Sequence, residues 1–149
     1  MYPHIMIATD GSQLASNGLD HGLALAKALG SKVTIVTVTE PWHVFEFASE
    51  IRQHPGRNPL EDFESAAAAV AEKILETATA SAAKVGVSAE TVHVKDEHPA
   101  PGIIKAAEEN GCSLIVMASH GRRGLGRLVL GSQAAEVVAS SKTPVLIVR

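Results

Sequence analysis

The sequence predicts an α/β fold, a doubly wound parallel sheet of five strands with helices on both faces. Short apolar runs rich in Val and Ile alternate with longer segments whose apolar residues recur at helical spacing, and this alternation is typical of βαβ units. Aromatic residues make up only 3% of the chain, so the core must be aliphatic, which suits buried parallel strands. Because parallel crossovers are right-handed, we expect the strand order 3-2-1-4-5.

The first strand, helix and second strand occupy residues 5–38. Residues 5–8 (IMIA) form an apolar run that ends in the turn residues TDGS, and Ser12 is a suitable helix N-cap. Apolar residues then recur at helical spacing until Gly30, which favours a helix end. The β-branched run at 32–38 (KVTIVTV) predicts the second strand.

A long connection and a long helix follow. Residues 40–60 carry three prolines and no regular period, which predicts a loop. Three aromatic residues of this loop, Trp42, Phe45 and Phe47, either fold over a ligand site as a lid or only pack at the base of the loop. The helix after it ends at Gly86, and one apolar face is expected to hold Phe63, Ala67, Val70, Ile74 and Ala78.

The second half of the chain continues the alternation of strand and helix. The remaining elements are a strand at 91–95, a helix at 101–111, a strand at 114–118, a helix at 132–141 and a strand at 145–148. Strands 1 and 4 then lie side by side where the winding reverses. Ligands of doubly wound folds bind in the crevice outside the carboxyl ends of such strands, so the loops TDGS and SHGRRGLG should open onto a ligand site.

Composition and charge narrow the possible functions. A chain of 149 residues fits one domain, 1–149. A net charge of −3 gives no overall signature of nucleic-acid binding. Cys112 is alone, so no intrachain disulfide is possible and a reducing compartment is favoured. No apolar run approaches the roughly 18 residues of a membrane span, and we expect a cytoplasmic protein with no membrane or nucleic-acid partner.

A glycine-rich segment separates strand 4 from the last helix. Residues 119–132 contain four glycines and three arginines. Glycines allow backbone N–H groups to approach a ligand, and the following helix N-terminus attracts anions, so the segment predicts a phosphate site. Two better-known fingerprints do not fit, because Val129 replaces the last glycine of a dinucleotide motif and GRLVLGS lacks the lysine of a P-loop.

These motifs resemble the universal stress protein family over essentially the whole chain. The resemblance rests on IMIATDGS, ASHGRRG, LVLGS and the closing KTPVLIVR. Members of the family that bind ATP carry the pattern G-x2-G-x9-G-[ST], which aligns here as Ala118-x2-Gly121-x9-Gly131-Ser132. The resemblance implies an adenine nucleotide α-hydrolase-like fold with one nucleotide site at the crevice.

The resemblance also implies which residues contact the nucleotide. Asp10 matches the acidic residue that contacts the base, and Val38 matches the apolar wall of the adenine pocket. The other matched positions are Met117 and Ala118 at the ribose, and Gly121, Gly131, Ser132 and the Gln133 amide at the phosphates. We add Arg122 to the phosphate site because of its charge.

Several of these residues have a second interpretation. Ala118 stands where the pattern has glycine, and its side chain is a serious obstacle only if the position needs a positive φ. Asp10 precedes glycine, and Asp-Gly is a common turn dipeptide. Ser119 and His120 are the types of a nucleophile and its base, but adjacent side chains usually point apart, so no catalytic residue is predicted. The histidine spacings also predict no metal site.

The last strand predicts an interface. In the order 3-2-1-4-5 the run VLIV is a uniformly apolar edge, and an exposed edge of this kind is a liability unless another chain pairs with it. We therefore expect a two-fold homodimer through Val145 to Val148, which the resemblance also implies.

The expected function is that of a homodimeric, ATP-binding protein of stress response and signalling, with Mg²⁺ held through the phosphates. Hydrolysis of ATP should be slow or absent, because no residue is an evident general base. One alternative is an interaction module of the same fold that binds no nucleotide, with the arginine-rich loop serving a protein partner. The other is a nucleotidyl-transferring or hydrolysing enzyme of similar architecture, for which the sequence offers no motif.

Overall fold

The computed structural model describes residues 1–42, 53, 55–120 and 129–149, and these contain five strands and four helices. The strands are β1 (His4–Ala8), β2 (Lys32–Val38), β3 (Ala89–Val94), β4 (Leu114–Ala118) and β5 (Val145–Val148). The helices are α1 (Gln13–Leu29), α2 (Pro59–Lys84), α3 (Pro99–Glu109) and α4 (Ser132–Ser140). None of the helices in these ranges combines the length and hydropathy needed to cross a bilayer.

The five strands form one parallel sheet in the order β3-β2-β1-β4-β5, so the predicted fold and strand order are confirmed. β1 lies at the centre, and the winding reverses between β1 and β4. The carboxyl ends of these two strands therefore flank the switch-point crevice of a doubly wound fold.

Each face of the sheet carries its own apolar core, and two helices cover it. One core joins α1 and α2 to the sheet and includes Ile5, Ile7, Leu19, Leu23, Ile35, Ala78 and Val116. The other joins α3 and α4 to the opposite face and includes Met6, Val36, Ile103, Ile115, Met117, Ala134 and Val137. Because the central strands β1 and β4 are covered on both sides, residues 5–8 and 114–118 are all apolar and buried, without alternation.

α1 begins and ends at the predicted residues. The Ser12 hydroxyl accepts a hydrogen bond from the Ala15 N–H at 3.2 Å, as an N-cap should. Gly30 ends the helix with a φ of 67°, a left-handed conformation that glycine adopts without a steric penalty.

The predicted apolar face of α2 is wrong at one position. Val70 is 50% exposed, and the fully buried positions of this helix are Ala71, Ala78 and Ala82. Alanines occur all round this helix, so the apolar pattern alone does not decide which side meets the sheet. A shift of one residue turns the buried face by about 100°.

The single cysteine is buried in the core on the α3 side. Burial raises the pKa of the Cys112 thiol to about 11, which leaves roughly one thiolate in a thousand at pH 8. We expect the native protein to react with a disulfide reagent such as DTNB only slowly, and one thiol per chain to react at once in denaturant. A fast, stoichiometric reaction of the native protein at pH 8 would contradict this.

Candidate functional site

β1 and β4 diverge at their carboxyl ends. The hydrogen-bonded ladder between them ends at the pair Ile7 and Val116. Beyond it, the Thr9 N–H donates to a carbonyl of β2 at 3.0 Å, whereas the Ser119 N–H donates to a carbonyl of β5 at 2.8 Å. The chain thus turns in opposite directions after the two strands and leaves a crevice between them.

Asp10 lies on the β1 side of this crevice and shapes the turn into α1. One of its carboxylate oxygens accepts a hydrogen bond from the Ser12 N–H at 2.9 Å, and Gly11 between them has a φ of 78°. The turn role of the Asp-Gly dipeptide is therefore confirmed. The same interaction holds the carboxylate at the carboxyl end of β1.

Val38 ends β2 and is backed by the first turn of α3. A Cβ on Gly102 would lie 3.1 Å from both Val38 methyl carbons, which is closer than most real Cβ contacts. Glycine at 102 therefore lets the α3 backbone lie directly against this side chain. Sequence reasoning did not single out Gly102, because the contact joins two residues that are distant in the chain.

Met117 and Ala118 end β4 and point to opposite faces of the sheet. The Met117 side chain is buried in the core under α3 and α4. Ala118 is only 7% exposed, and a Cβ on Gly18 of α1 would lie 3.1 Å from its nitrogen. Since the Ser119 peptide group faces β5, strand alternation turns the Ala118 peptide group toward β1 and the crevice.

Ala118 needs no special backbone conformation. In the described ranges, the non-glycine residues with positive φ are Tyr2 and Asp96, so Ala118 keeps the ordinary extended conformation of a strand. The replacement of the pattern's glycine by alanine therefore introduces no backbone strain here.

Gly131 lies directly against the chain that leaves β4. Its N–H donates to the Ser119 carbonyl at 2.8 Å, and a Cβ on it would lie 2.9 Å from that same oxygen and 3.4 Å from the Cα of His120. Its φ of −58° and ψ of 152° are open to any residue. Glycine is thus required by the close approach of two backbones and not by conformational freedom.

The first turn of α4 begins at this contact. The first hydrogen bond within the helix runs from the Ala135 N–H to the Gly131 carbonyl at 2.9 Å, so the N–H groups of residues 132–134 have no partner inside the helix. Within the described residues, no side chain caps this helix end. Ser132 is exposed at its first position, and the turn has the geometry of an anion site.

The Gln133 side chain is engaged elsewhere. Its Oε1 accepts a hydrogen bond from the Ala100 N–H in the first turn of α3 at 2.9 Å. What Gln133 offers to the crevice is therefore its backbone N–H.

The expectation that Ser119 and His120 point apart is wrong. The Ser119 Oγ and the His120 Nδ1 lie 3.2 Å apart, within hydrogen-bond distance. Ser119 is buried, and its backbone carbonyl already accepts from Gly131. This pair consequently lies at the contact between the end of β4 and the start of α4.

Some predicted residues lie outside the described ranges. These are Gly121 and Arg122 of the phosphate site, and Phe45 and Phe47 of the long connection. Trp42 is described, and its ring lies 6.4 Å from that of Phe63 at the start of α2. This contact favours the packing role that the sequence left open for Trp42.

Two surface depressions lie away from the crevice. One, of about 460 Å³, is at the amino ends of β2 and β3 beside Lys32 and Glu90, whose side chains form an exposed ion pair at 3.0 Å. The other, of about 470 Å³, lies between α2 and β3 beside His93. Burial and the nearby Lys95 lower the pKa of His93. Neither depression contains a residue of the predicted site.

Comparison with known proteins gives a consistent result. The model of the universal stress protein family matches residues 1–149. The universal stress protein YxiE of Bacillus subtilis strain 168 is 35% identical over 161 aligned positions, which cover 100% of both chains. The solved structure of MJ0577, a universal stress protein of Methanocaldococcus jannaschii, is 27% identical, with a TM-score of 0.80 over 99% of this chain and 96% of the other.

A further solved structure is a universal stress protein in complex with cAMP. It is 25% identical to this chain, with a TM-score of 0.68 over 99% of this chain and 97% of the other.

Proposed function

This chain belongs to the universal stress protein family, and from that premise we propose that it is a cytoplasmic stress-response protein that binds ATP in the crevice between β1 and β4. The observation that carries the proposal is the contact of Gly131 with Ser119 at the start of α4. This contact places the first N–H groups of α4, which no side chain among the described residues caps, at the point where the sheet opens.

The phosphates would lie at the first turn of α4. The amino end of a helix carries roughly half a positive charge, and its free N–H groups point along the axis toward an anion. The Ser132 hydroxyl lies beside these groups, and Gly131 has no side chain to block them. The sequence also assigns Gly121 and Arg122 to the phosphates, and Mg²⁺ bound through the phosphates would neutralise part of their charge.

The adenosine would lie toward β1 and β2. Asp10 offers a carboxylate at the end of β1 to the base, and Val38 offers an apolar wall that α3 supports from behind. The ribose would lie against the backbone of Met117 and Ala118. The Ala118 methyl group is largely covered by protein, which supports a site that tolerates alanine where the family pattern has glycine.

The family comparison supports the ligand class. A universal stress protein that is 25% identical to this chain binds cAMP, which is also an adenine nucleotide. We expect little or slow hydrolysis of ATP, because the sequence offers no evident general base. The output of binding would then be a conformational or partner-binding signal.

We also propose a homodimer through β5. This strand lies at the edge of the sheet. The Pro144 carbonyl accepts a hydrogen bond from Ile115 of β4, and the Val148 carbonyl accepts one from Ser119, directly after β4. By strand alternation, the peptide groups of Val145 and Ile147 point to the outer side of the sheet. A second copy related by a two-fold axis would satisfy these groups.

Titration calorimetry of the purified protein with Mg-ATP tests the nucleotide site. Extraction and chromatography must first establish whether the protein already carries a nucleotide. We expect about one ATP per chain, and a melting temperature that rises with ATP because the ligand binds only the native state. No heat, no thermal shift and no co-purified nucleotide would overturn the proposal and favour the nucleotide-free interaction module.

A further inference from the structure

The first turn of α3 contains a backbone donor that water does not reach. Pro99 and Pro101 have no N–H, and the Gly102 N–H is already bonded to the His98 carbonyl at 3.0 Å. The remaining donor of the turn is the N–H of Ala100, a residue that is 0% exposed. A buried N–H without an acceptor is costly, so this donor requires a partner from another element.

Gln133 supplies that partner from α4. Its Oε1 accepts from the Ala100 N–H at 2.9 Å across 33 residues of sequence. Because the group on Ala100 is a donor, the oxygen and not the nitrogen of the side-chain amide must face it. The first turns of α3 and α4 are thus joined by a hydrogen bond that solvent cannot replace.

The two joined turns support opposite ends of the crevice. The α3 turn lies directly against Val38 through Gly102, at the proposed adenine wall. The α4 turn begins at Gly131 and Ser132, at the proposed phosphate end. Gln133 therefore connects the two ends of the site behind the crevice, on the side of the sheet that α3 and α4 cover.

We infer that Gln133 is a positioning residue whose side chain sets the spacing between the adenine wall and the phosphate site, by fixing the first turn of α4 to that of α3. The inference rests on the proposed function. ATP needs the correct spacing because it contacts both ends, whereas adenosine reaches only the adenine end. Without the hydrogen bond between Gln133 and Ala100, α4 would occupy the correct position only part of the time. The apparent affinity for ATP would then fall in proportion to that fraction of time.

Three variants separate this role from others. Gln133→Met keeps the length of the side chain and removes the acceptor. Gln133→Glu restores an acceptor oxygen. This variant is used only to measure hydrogen exchange of the Ala100 amide and not ATP affinity, because its negative charge would itself weaken phosphate binding. Ser140→Ala, at the exposed far end of α4, is the matched control.

We expect Gln133→Met to bind Mg-ATP about five-fold more weakly than the wild type does, which corresponds to α4 occupying its binding-competent position about one fifth of the time. The same variant should bind adenosine as tightly as the wild type does. Exchange of the Ala100 amide hydrogen should be at least about ten-fold faster in Gln133→Met and slow again in Gln133→Glu. In the wild type it should stay slow when Mg-ATP is bound. Ser140→Ala should match the wild type throughout.

The opposing results are distinct. A wild type that binds no adenine nucleotide overturns the proposed function, and this inference with it. A folded Gln133→Met that binds ATP as tightly as the wild type overturns the inference alone, and so does an equal loss of ATP and adenosine affinity. Faster exchange of the Ala100 amide in the ATP-bound wild type would mean that Gln133 leaves Ala100 to contact the ligand directly, which also overturns it.

Discussion

Replacing Gly131 by valine is expected to weaken ATP binding by more than about 100-fold, a loss equal to two or more charge-assisted hydrogen bonds. The valine Cβ would lie 2.9 Å from the Ser119 carbonyl oxygen, and neither partner is a flexible side chain that can turn away. The first turn of α4 must therefore move off the end of β4. The N–H groups that would hold the phosphates move with it.

Calorimetry with Mg-ATP measures the loss of ATP affinity in Gly131→Val, and sedimentation of the same sample measures its oligomeric state. Ala135→Val is the matched control, because it adds the same kind of side chain to an exposed position of α4 one turn further on. It should bind ATP as the wild type does. Gly131→Val should remain dimeric, because β5 and its outer edge do not involve Gly131.

Two outcomes would change the interpretation of Gly131. Loss of both ATP binding and the dimer would mean that the junction of Gly131 with Ser119 is structural and not a ligand site. Unchanged ATP affinity in a folded Gly131→Val protein would place the nucleotide elsewhere.

Replacing Leu146 by lysine is expected to convert the proposed dimer to monomers at micromolar concentration. Leu146 is a 38% exposed apolar residue in the edge strand β5. A two-fold interface uses the same surface of both chains, so one substitution places two like charges at the interface. Lysine on an edge strand is also a common means by which proteins prevent strand pairing.

Sedimentation velocity distinguishes a species of 15.6 kDa from one of twice that mass. The control is Leu29→Lys, since Leu29 is 45% exposed in the last turn of α1, where a positive charge is compatible with the helix dipole. This variant should remain dimeric. A wild type that sediments only at 15.6 kDa, or a Leu146→Lys protein that stays dimeric, would contradict the proposed interface.

Local patterns in the sequence determined the fold. Strand and helix alternate as predicted, because hydrophobic periodicity, the Ser12 cap and the glycine stops act within a few residues of one another. Right-handed parallel crossovers favour a doubly wound order, and the predicted order 3-2-1-4-5 is one that they allow. The crevice between β1 and β4 then followed from that order, with Asp10 and Ala118 at its two edges.

Only the tertiary structure decided how these elements meet. The contacts of Gly131 with Ser119, Gly102 with Val38 and Gln133 with Ala100 each join different parts of the chain. Sequence spacing does not fix them, because they depend on the packing distance between elements and the rotation of each helix about its axis. The buried face of α2 was misjudged for the same reason. Gly131 is required by the neighbouring backbone of Ser119, and Gln133 satisfies the buried N–H of Ala100. Both roles can be recognised only in the folded chain, where each residue lies beside its partner.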